Sequence, residues 1–176
     1  FVQVALTNGL GKSIQEITKP RTEGDKNYDS ATFYSISNCQ EGLSRVTLGN
    51  FLIKRVVFEI QEELPNIKNF GTLSPIPGFR DWFSYLEDNK IKNIIGNIPI
   101  ENIKFLKSPD LKPGDPRIVS NKDALLKLVS HYLINEKNHK KLPINDVCRF
   151  HLGNGAIIDD IIINANVSEV GLNRSF

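Results

Sequence analysis

The sequence has 176 residues, of which 40% are hydrophobic and 24% charged, and its formal net charge is +2. A chain of this length and composition has about the size of one folded domain, which excludes a disordered or fibrous protein. The longest apolar run, residues 156–163, contains Asp159 and Asp160 and is too short to span a membrane, and the small charge predicts no nucleic-acid partner.

The first half of the chain predicts a sheet and a covering helix. Phe1–Thr7 and Ala31–Ser37 are rich in β-branched and aromatic residues and predict two strands, with a short helix over Ser13–Thr18 between them. In Asn50–Leu64, apolar residues recur at steps of three and four, which predicts an amphipathic helix. A further strand is predicted over Asn69–Ser74.

The second half predicts helices. Gly78–Asp88 carries Phe79, Trp82, Phe83 and Leu86 at helical spacing, and these residues are predicted to lie in the core. Leucines on one side of Ala124–Leu133 predict another helix, and the proline-containing region between the two helices predicts short helices and loops. Strands followed by helices predict an α/β (α+β) fold.

Gly49 stands where a loop from Gly42 meets the helix that begins near Asn50. The free N–H groups at a helix start favour anions, so one interpretation is a phosphate site. The other interpretation is an ordinary tight turn, and the residues themselves leave both open.

Ser74 lies between a predicted strand and a turn stiffened by Pro75 and Pro77. This position predicts a hydroxyl held at the end of the sheet, which suits a reactive group. Ser-Pro is also a common way to open a turn, and the GxSxG pattern of a nucleophile elbow is absent. Catalysis and a simple turn therefore remain alternatives.

Of the three histidines, His131 and His139 are predicted to be solvated, on or just after a polar helix face. His151 follows apolar residues and precedes a glycine-rich turn, which predicts a shifted pKa or a satisfied core histidine. The sequence contains no HExxH, CxxC, GxxxxGK[ST] or GxGxxG pattern, so it gives no support for metal or nucleotide chemistry.

The two cysteines and the first residues of the chain predict the cellular compartment of the protein. Cys39 and Cys148 are far apart and lack metal-binding neighbours, which predicts two free thiols in a reducing compartment. Phe1–Thr7 lacks the features of a secretory signal, so a cytoplasmic location is predicted, with the mitochondrial matrix or a peroxisome as eukaryotic alternatives. The absence of any Met predicts a piece of a longer protein.

Four segments together resemble the malonyl-CoA decarboxylase family. They are ATFYSIS at Ala31–Ser37, LGNFLIKRVV at Leu48–Val57, LSPIPGF at Leu73–Phe79 and RFHLGNGA at Arg149–Ala156. The resemblance implies that residues 1–176 are part of the family's catalytic domain, a truncated domain without the N-terminal helical domain and the C-terminal end. It also implies a GNAT-like mixed sheet flanked by helices.

The resemblance further implies decarboxylation of malonyl-CoA to acetyl-CoA and CO2, with Ser74 and His151 as the catalytic pair. No metal or organic cofactor such as PLP or biotin is implied, and the full-length protein is expected to be a homo-oligomer. The implied contacts with the acyl-coenzyme A are Ser44, Arg45, Val46, Thr47, Leu48, Gly49 and Asn50.

The sequence departs from the family pattern at two places. Thr47 stands where animal relatives are expected to carry an acidic residue, and IDDIIINAN at Ile158–Asn166 replaces a stretch richer in Trp and Arg. Two other functions remain open at this point. One is a GNAT-type acyltransferase that passes an acetyl group to an amine, and the other is a fragment that binds acyl-coenzyme A without turnover.

Overall fold

The computed structural model describes residues 1–20, 27–37 and 49–175, and the chain forms two compact units, one ending at Ser74 and the other beginning at Pro75. The first unit is a sheet with helices. Its elements are β1 (Val2–Thr7), α1 (Ile14–Ile17), β2 (Ser30–Ile36), α2 (Gly49–Glu63) and β3 (Asn69–Thr72). Each of the strands and helices predicted for the first half of the chain is confirmed, with small differences at the ends.

Over the described residues the sheet has three strands in the order β1-β2-β3. β1 is antiparallel to β2, with a register shift between Gln3 and Val4, and β2 is parallel to β3. A parallel pair needs a crossover connection, which contains α2. The mixed sheet with helices confirms the α/β prediction, whereas the likeness to the GNAT fold stays a prediction.

The core of the first unit lies between the sheet and α2. Ala31, Phe33 and Ile67 are buried there. The helix contributes four residues at steps of three and four, in agreement with the predicted amphipathic pattern, namely Ile53, Val56, Val57 and Ile60. Phe51 and Phe58 are exposed on the same helix.

The second unit is built of short helices around one core. Its elements are α3 (Phe79–Ser84), α4 (Asp88–Ile95), α5 (Pro116–Ser120), α6 (Lys122–Ile134), α7 (Asp146–Gly153) and α8 (Glu169–Arg174), with 3-10 turns at Ile100–Asn102 and Lys104–Lys107. Phe79 and Phe83 are each 1% exposed and lie in the core, as predicted. Over the described residues, no helix combines the length and the apolar character that crossing a membrane requires.

The single helix predicted over Gly78–Asp88 is wrong at its C-terminal end. α3 stops at Ser84, because Leu86 N–H turns back to the Phe83 carbonyl at 3.1 Å. Glu87 then has an extended backbone and starts α4 as its N-cap residue. Side-chain spacing continued across this break, so the pattern did not reveal it.

Candidate active site

Ser74 lies just past the end of β3, as predicted. Leu73 N–H donates to the Phe33 carbonyl at 2.8 Å, so the pairing with β2 reaches the residue before Ser74. Ser74 is partly buried, and its hydroxyl donates to Thr72 Oγ1 at 3.1 Å. The backbone at Ser74 is therefore held from the sheet side, and the Thr72 oxygen gives the Ser74 hydroxyl a preferred direction.

The turn that follows Ser74 begins the second unit and is held within that unit through the Pro77 carbonyl. This oxygen accepts one hydrogen bond from the Tyr132 hydroxyl at 3.1 Å and another from the Asn145 side-chain N–H at 2.8 Å. Both lone pairs of this partly buried carbonyl are thus satisfied. The position of this peptide group is set by two side chains from α6 and from the start of α7.

The end of α8 holds the same turn through its N–H groups. Ile76 N–H donates to the Ser175 hydroxyl at 3.0 Å, and Gly78 N–H donates to the Arg174 carbonyl at 3.1 Å. Gly78 has a φ of 79°, and a Cβ there would lie 3.0 Å from the Tyr132 hydroxyl. Glycine satisfies both the positive φ and the lack of space for a Cβ, which gives a structural reason for Gly78 in the LSPIPGF segment.

His151 lies in the last turn of α7, directly before the glycine-rich segment. Ala156 N–H donates to the His151 carbonyl and Gly155 N–H to the Leu152 carbonyl, both at 3.1 Å, and Gly155 has a φ of 86°. These two bonds form a Schellman motif, in which the residue with positive φ is usually glycine. The HLGNGA segment therefore encodes a helix end that fixes the backbone of His151.

The imidazole of His151 is partly buried, and its ring centroid lies 5.1 Å from that of Phe150 in an edge-to-face arrangement. Burial lowers the pKa of His151 below its ordinary value, because the charged ring loses solvation. The sequence predicted a shift of this pKa without a direction, and the direction found is downward. Its consequence is that the unliganded site favours the neutral ring near pH 7.

We expect this pKa shift to make stability depend on pH. The folded pKa lies below the unfolded value of about 6.5, so the unfolded chain binds more protons as the pH falls through that range. The free energy of unfolding should therefore decrease below about pH 6.5. The part of this decrease that comes from His151 should be absent in His151→Asn. Urea titrations followed by the fluorescence of Trp82, the only tryptophan, would measure it.

The control for that titration is His139→Asn, which removes an imidazole from an exposed loop position. The difference in unfolding free energy between the parent chain and His151→Asn should shrink between about pH 8 and about pH 5. A difference that stays constant over this range would contradict the assignment of the shift to burial of His151.

The prediction of two solvated histidines is right for His139 and wrong for His131. His131 retains only 28% of its side-chain exposure, and its ring stacks on Trp82 of α3 with centroids 6.1 Å apart. Its Nε2 lies 3.4 Å from a carboxylate oxygen of Glu136. His131 also lines an open groove of about 600 Å³ along α4 and α6 that contains neither predicted catalytic residue.

The predicted acyl-coenzyme A loop lies mostly outside the described residues, which include neither Ser44, Arg45, Val46, Thr47 nor Leu48. Gly49 and Asn50 are the first two residues of α2. The first turn of this helix has no acidic residue, so its positive dipole end is not neutralised by its own side chains. This feature is compatible with an anionic ligand.

The thiol of Cys148 is free and buried, and burial raises its pKa. This confirms one of the two predicted free thiols, and Cys39 lies outside the described residues. Within residues 1–20, 27–37 and 49–175, no three His, Cys, Asp or Glu side chains come together as a group that could hold a metal ion.

Sequence reasoning did not single out Asn145 or Tyr132, which contact the turn after Ser74. Asn145 had a usable signal, since an Asn followed by Asp146 is a typical helix start. Tyr132 had none, because a tyrosine on the apolar side of a helix is indistinguishable in the sequence from any other core aromatic.

Comparison with known proteins identifies relatives of the whole chain. Residues 1–176 match the family model described as the malonyl-CoA decarboxylase C-terminal domain. The chain is 38% identical over 196 residues to the mitochondrial malonyl-CoA decarboxylase of Mus musculus and 37% identical over 178 residues to that of Anser anser anser. These matches cover 99% and 89% of this chain but 40% and 35% of the relatives.

Comparison with solved structures identifies members of the same family. The malonyl-CoA decarboxylase of Rhodopseudomonas palustris matches with a TM-score of 0.84 at 36% identity, over 99% of this chain and 40% of that protein. The enzyme of Cupriavidus metallidurans matches with a TM-score of 0.77 at 34% identity, over 99% of this chain and 45% of the other. This chain therefore spans less than half the length of these relatives.

Proposed function

Because this chain belongs to the malonyl-CoA decarboxylase C-terminal domain family, we propose that the protein containing it converts malonyl-CoA to acetyl-CoA and CO2. The observation that carries the proposal is the match over the whole chain, which includes both LSPIPGF and RFHLGNGA. We further propose that Ser74 and His151 are the catalytic pair and that the reaction uses no metal or organic cofactor.

The chemistry of the substrate supports a reaction without a cofactor. When the bond between the carboxylate carbon and Cα breaks, its electron pair passes onto the thioester carbonyl and forms an enolate. CO2 leaves, and Cα then takes up one proton to give the acetyl thioester. The substrate is thus its own electron sink, and the protein has to orient the carboxylate, stabilise the enolate oxygen and supply the proton.

Ser74 is proposed to orient the malonyl carboxylate through a hydrogen bond. The bond that breaks must stand perpendicular to the thioester plane, so that its electrons enter the carbonyl π system. A hydroxyl can impose this orientation only if its own position is fixed. The hydrogen bond from Leu73 to β2 and the bond from Ser74 to Thr72 support that rigidity.

His151 is proposed to donate the proton to Cα as a general acid. This role needs the charged ring, and burial alone disfavours it. A malonyl carboxylate bound nearby favours the charged form and opposes the effect of burial. Binding of the substrate would therefore prepare the acid for the step that follows loss of CO2.

The acyl-coenzyme A is proposed to bind at the start of α2, through residues 44–50. Phosphate groups are anions, and a helix of 15 residues presents free N–H groups and a positive dipole end there. Two further expectations also rest on the family alone. The full-length protein is proposed to be a homo-oligomer, and the relatives named mitochondrial favour the mitochondrial matrix among the predicted compartments.

The proposal is tested with the full-length protein, because the family's activity belongs to a longer chain. Malonyl-CoA is supplied with a chelator and without an amine acceptor, and CO2 and acetyl-CoA are measured. We expect both products in equal amounts. A protein that binds the thioester but releases no CO2, or that turns over only when acetyl-CoA and an amine are supplied, would contradict the proposed function.

A further inference from the structure

One buried side chain contacts both segments proposed to carry catalytic residues. Asn145 is 2% exposed. Its Oδ1 accepts from Cys148 N–H at 2.8 Å and thereby caps the start of α7, the helix of His151. Its Nδ2 donates to the Pro77 carbonyl at 2.8 Å, in the turn that begins directly after Ser74.

This double contact explains why the residue is asparagine. Ser, Thr and Asp also cap helix starts well, so the cap alone does not require Asn. A carboxamide has an acceptor and a donor in one planar group, whereas an ionised Asp has acceptors only. At Asn145 the acceptor faces a backbone N–H and the donor faces a backbone carbonyl, so each end of the amide meets its complement.

We propose that Asn145 is a positioning residue for decarboxylation, which sets both the turn after Ser74 and the helix of His151. The inference rests on the proposed function of these two residues. On the side of Ser74, the Pro77 carbonyl belongs to a residue three positions further along the chain, and Pro75 and Pro77 restrict the backbone of this short segment. On the side of His151, the cap begins α7, a helix of eight residues that is closed at its other end by the Schellman motif.

If Asn145 positions these two segments, loss of its side chain should lower turnover more than it weakens substrate binding. A misplacement of about 1 Å can lower a rate about a hundredfold, because reacting groups must meet in one orientation. Asn145 itself touches only protein groups among its described contacts. Its loss should therefore lower kcat and leave KM nearly unchanged.

The test uses Asn145→Ser in the full-length protein, because serine retains a capping oxygen and is too short to reach the Pro77 carbonyl. We expect kcat for CO2 release to fall at least about tenfold and KM to change less than about twofold. Tyr132→Phe, which removes the other donor to that carbonyl, should lower kcat in the same direction. Wild-type kcat in Asn145→Ser would overturn the proposal.

The matched control is Asp115→Ala, which removes the N-cap side chain of α5. That helix lies in the same unit and carries no proposed site residue, so kcat should stay within about twofold of wild type even where the melting temperature falls. An equal loss of kcat in both cap variants would show that destabilisation alone lowers the rate, and would overturn the proposal.

A second measurement separates this inference from the proposed function. Ser74→Ala is combined with Asn145→Ser, and the residual kcat is compared with that of Ser74→Ala alone. Because Asn145 is proposed to act through both residues, the added loss should be smaller in the Ser74→Ala background, where only the effect through His151 remains. The same loss in both backgrounds would overturn the proposal that Asn145 positions Ser74, whereas a normal rate in Ser74→Ala alone would instead refute the proposed catalytic pair.

Discussion

Ser74→Ala is expected to lower the rate of CO2 release from malonyl-CoA by at least about a hundredfold. Without the hydroxyl, nothing on this side chain orients the carboxylate, and the breaking bond spends less time aligned with the thioester π system. Because the coenzyme A moiety is proposed to bind separately, at residues 44–50, KM should change much less than kcat. Steady-state kinetics of the full-length protein with malonyl-CoA would measure both values.

Ser37→Ala is a fitting control, since Ser37 also follows a strand of the same sheet and is exposed. Its kcat should equal that of the parent. The Ser74→Ala variant should keep the parent's circular dichroism spectrum, because its backbone is held by neighbouring residues. A rate near normal in a folded Ser74→Ala protein would remove Ser74 from the mechanism.

His151→Asn is also expected to reduce turnover by at least about a hundredfold, the lower end of the range for a lost acid–base group. The enolate would then have to take its proton from water. Steady-state kinetics of CO2 and acetyl-CoA formation by the full-length protein would measure this loss. The helix should persist, because the Schellman bonds use the backbone carbonyl of His151 and not its ring.

His139→Asn serves as the comparison, because this histidine is exposed on a loop of the same unit. We expect no change in its kcat. If His151→Asn retains more than about a tenth of the parent rate, the proton must come from another group. The orienting role of Ser74 could still hold in that case, because the two residues are proposed to act at successive steps.

Elements with a repeated pattern were predicted well from the sequence. The apolar steps in α2 extend over several turns, and the helix begins one residue before and ends one residue before the predicted Asn50–Leu64. The helix predicted over Ala124–Leu133 runs from Lys122 to Ile134, so its core was recognised and its ends were not. Ends depend on single capping contacts, which leave little trace in hydrophobic periodicity.

Contacts between distant residues could not be predicted in this way. His131 was expected to be solvated because its helix neighbours are polar, and the ring of Trp82 that covers it comes from another helix. Asn145 and Pro77 are 68 residues apart in sequence. The candidate pair itself emerged from the resemblance of two segments to a family, while local chemistry left both residues with ordinary alternatives.

The parallel pairing of β2 with β3 has a consequence for the order of folding. It joins Ser30 to Asn69 and Phe33 to Thr72, across an intervening helix, whereas β1 and β2 meet in the simpler antiparallel way. Closing the longer loop costs chain entropy before the new contacts repay it. We therefore expect β3 to dock late and to fray early, so that Ser74, two residues beyond Thr72, is among the last groups to reach its native position and among the first to leave it.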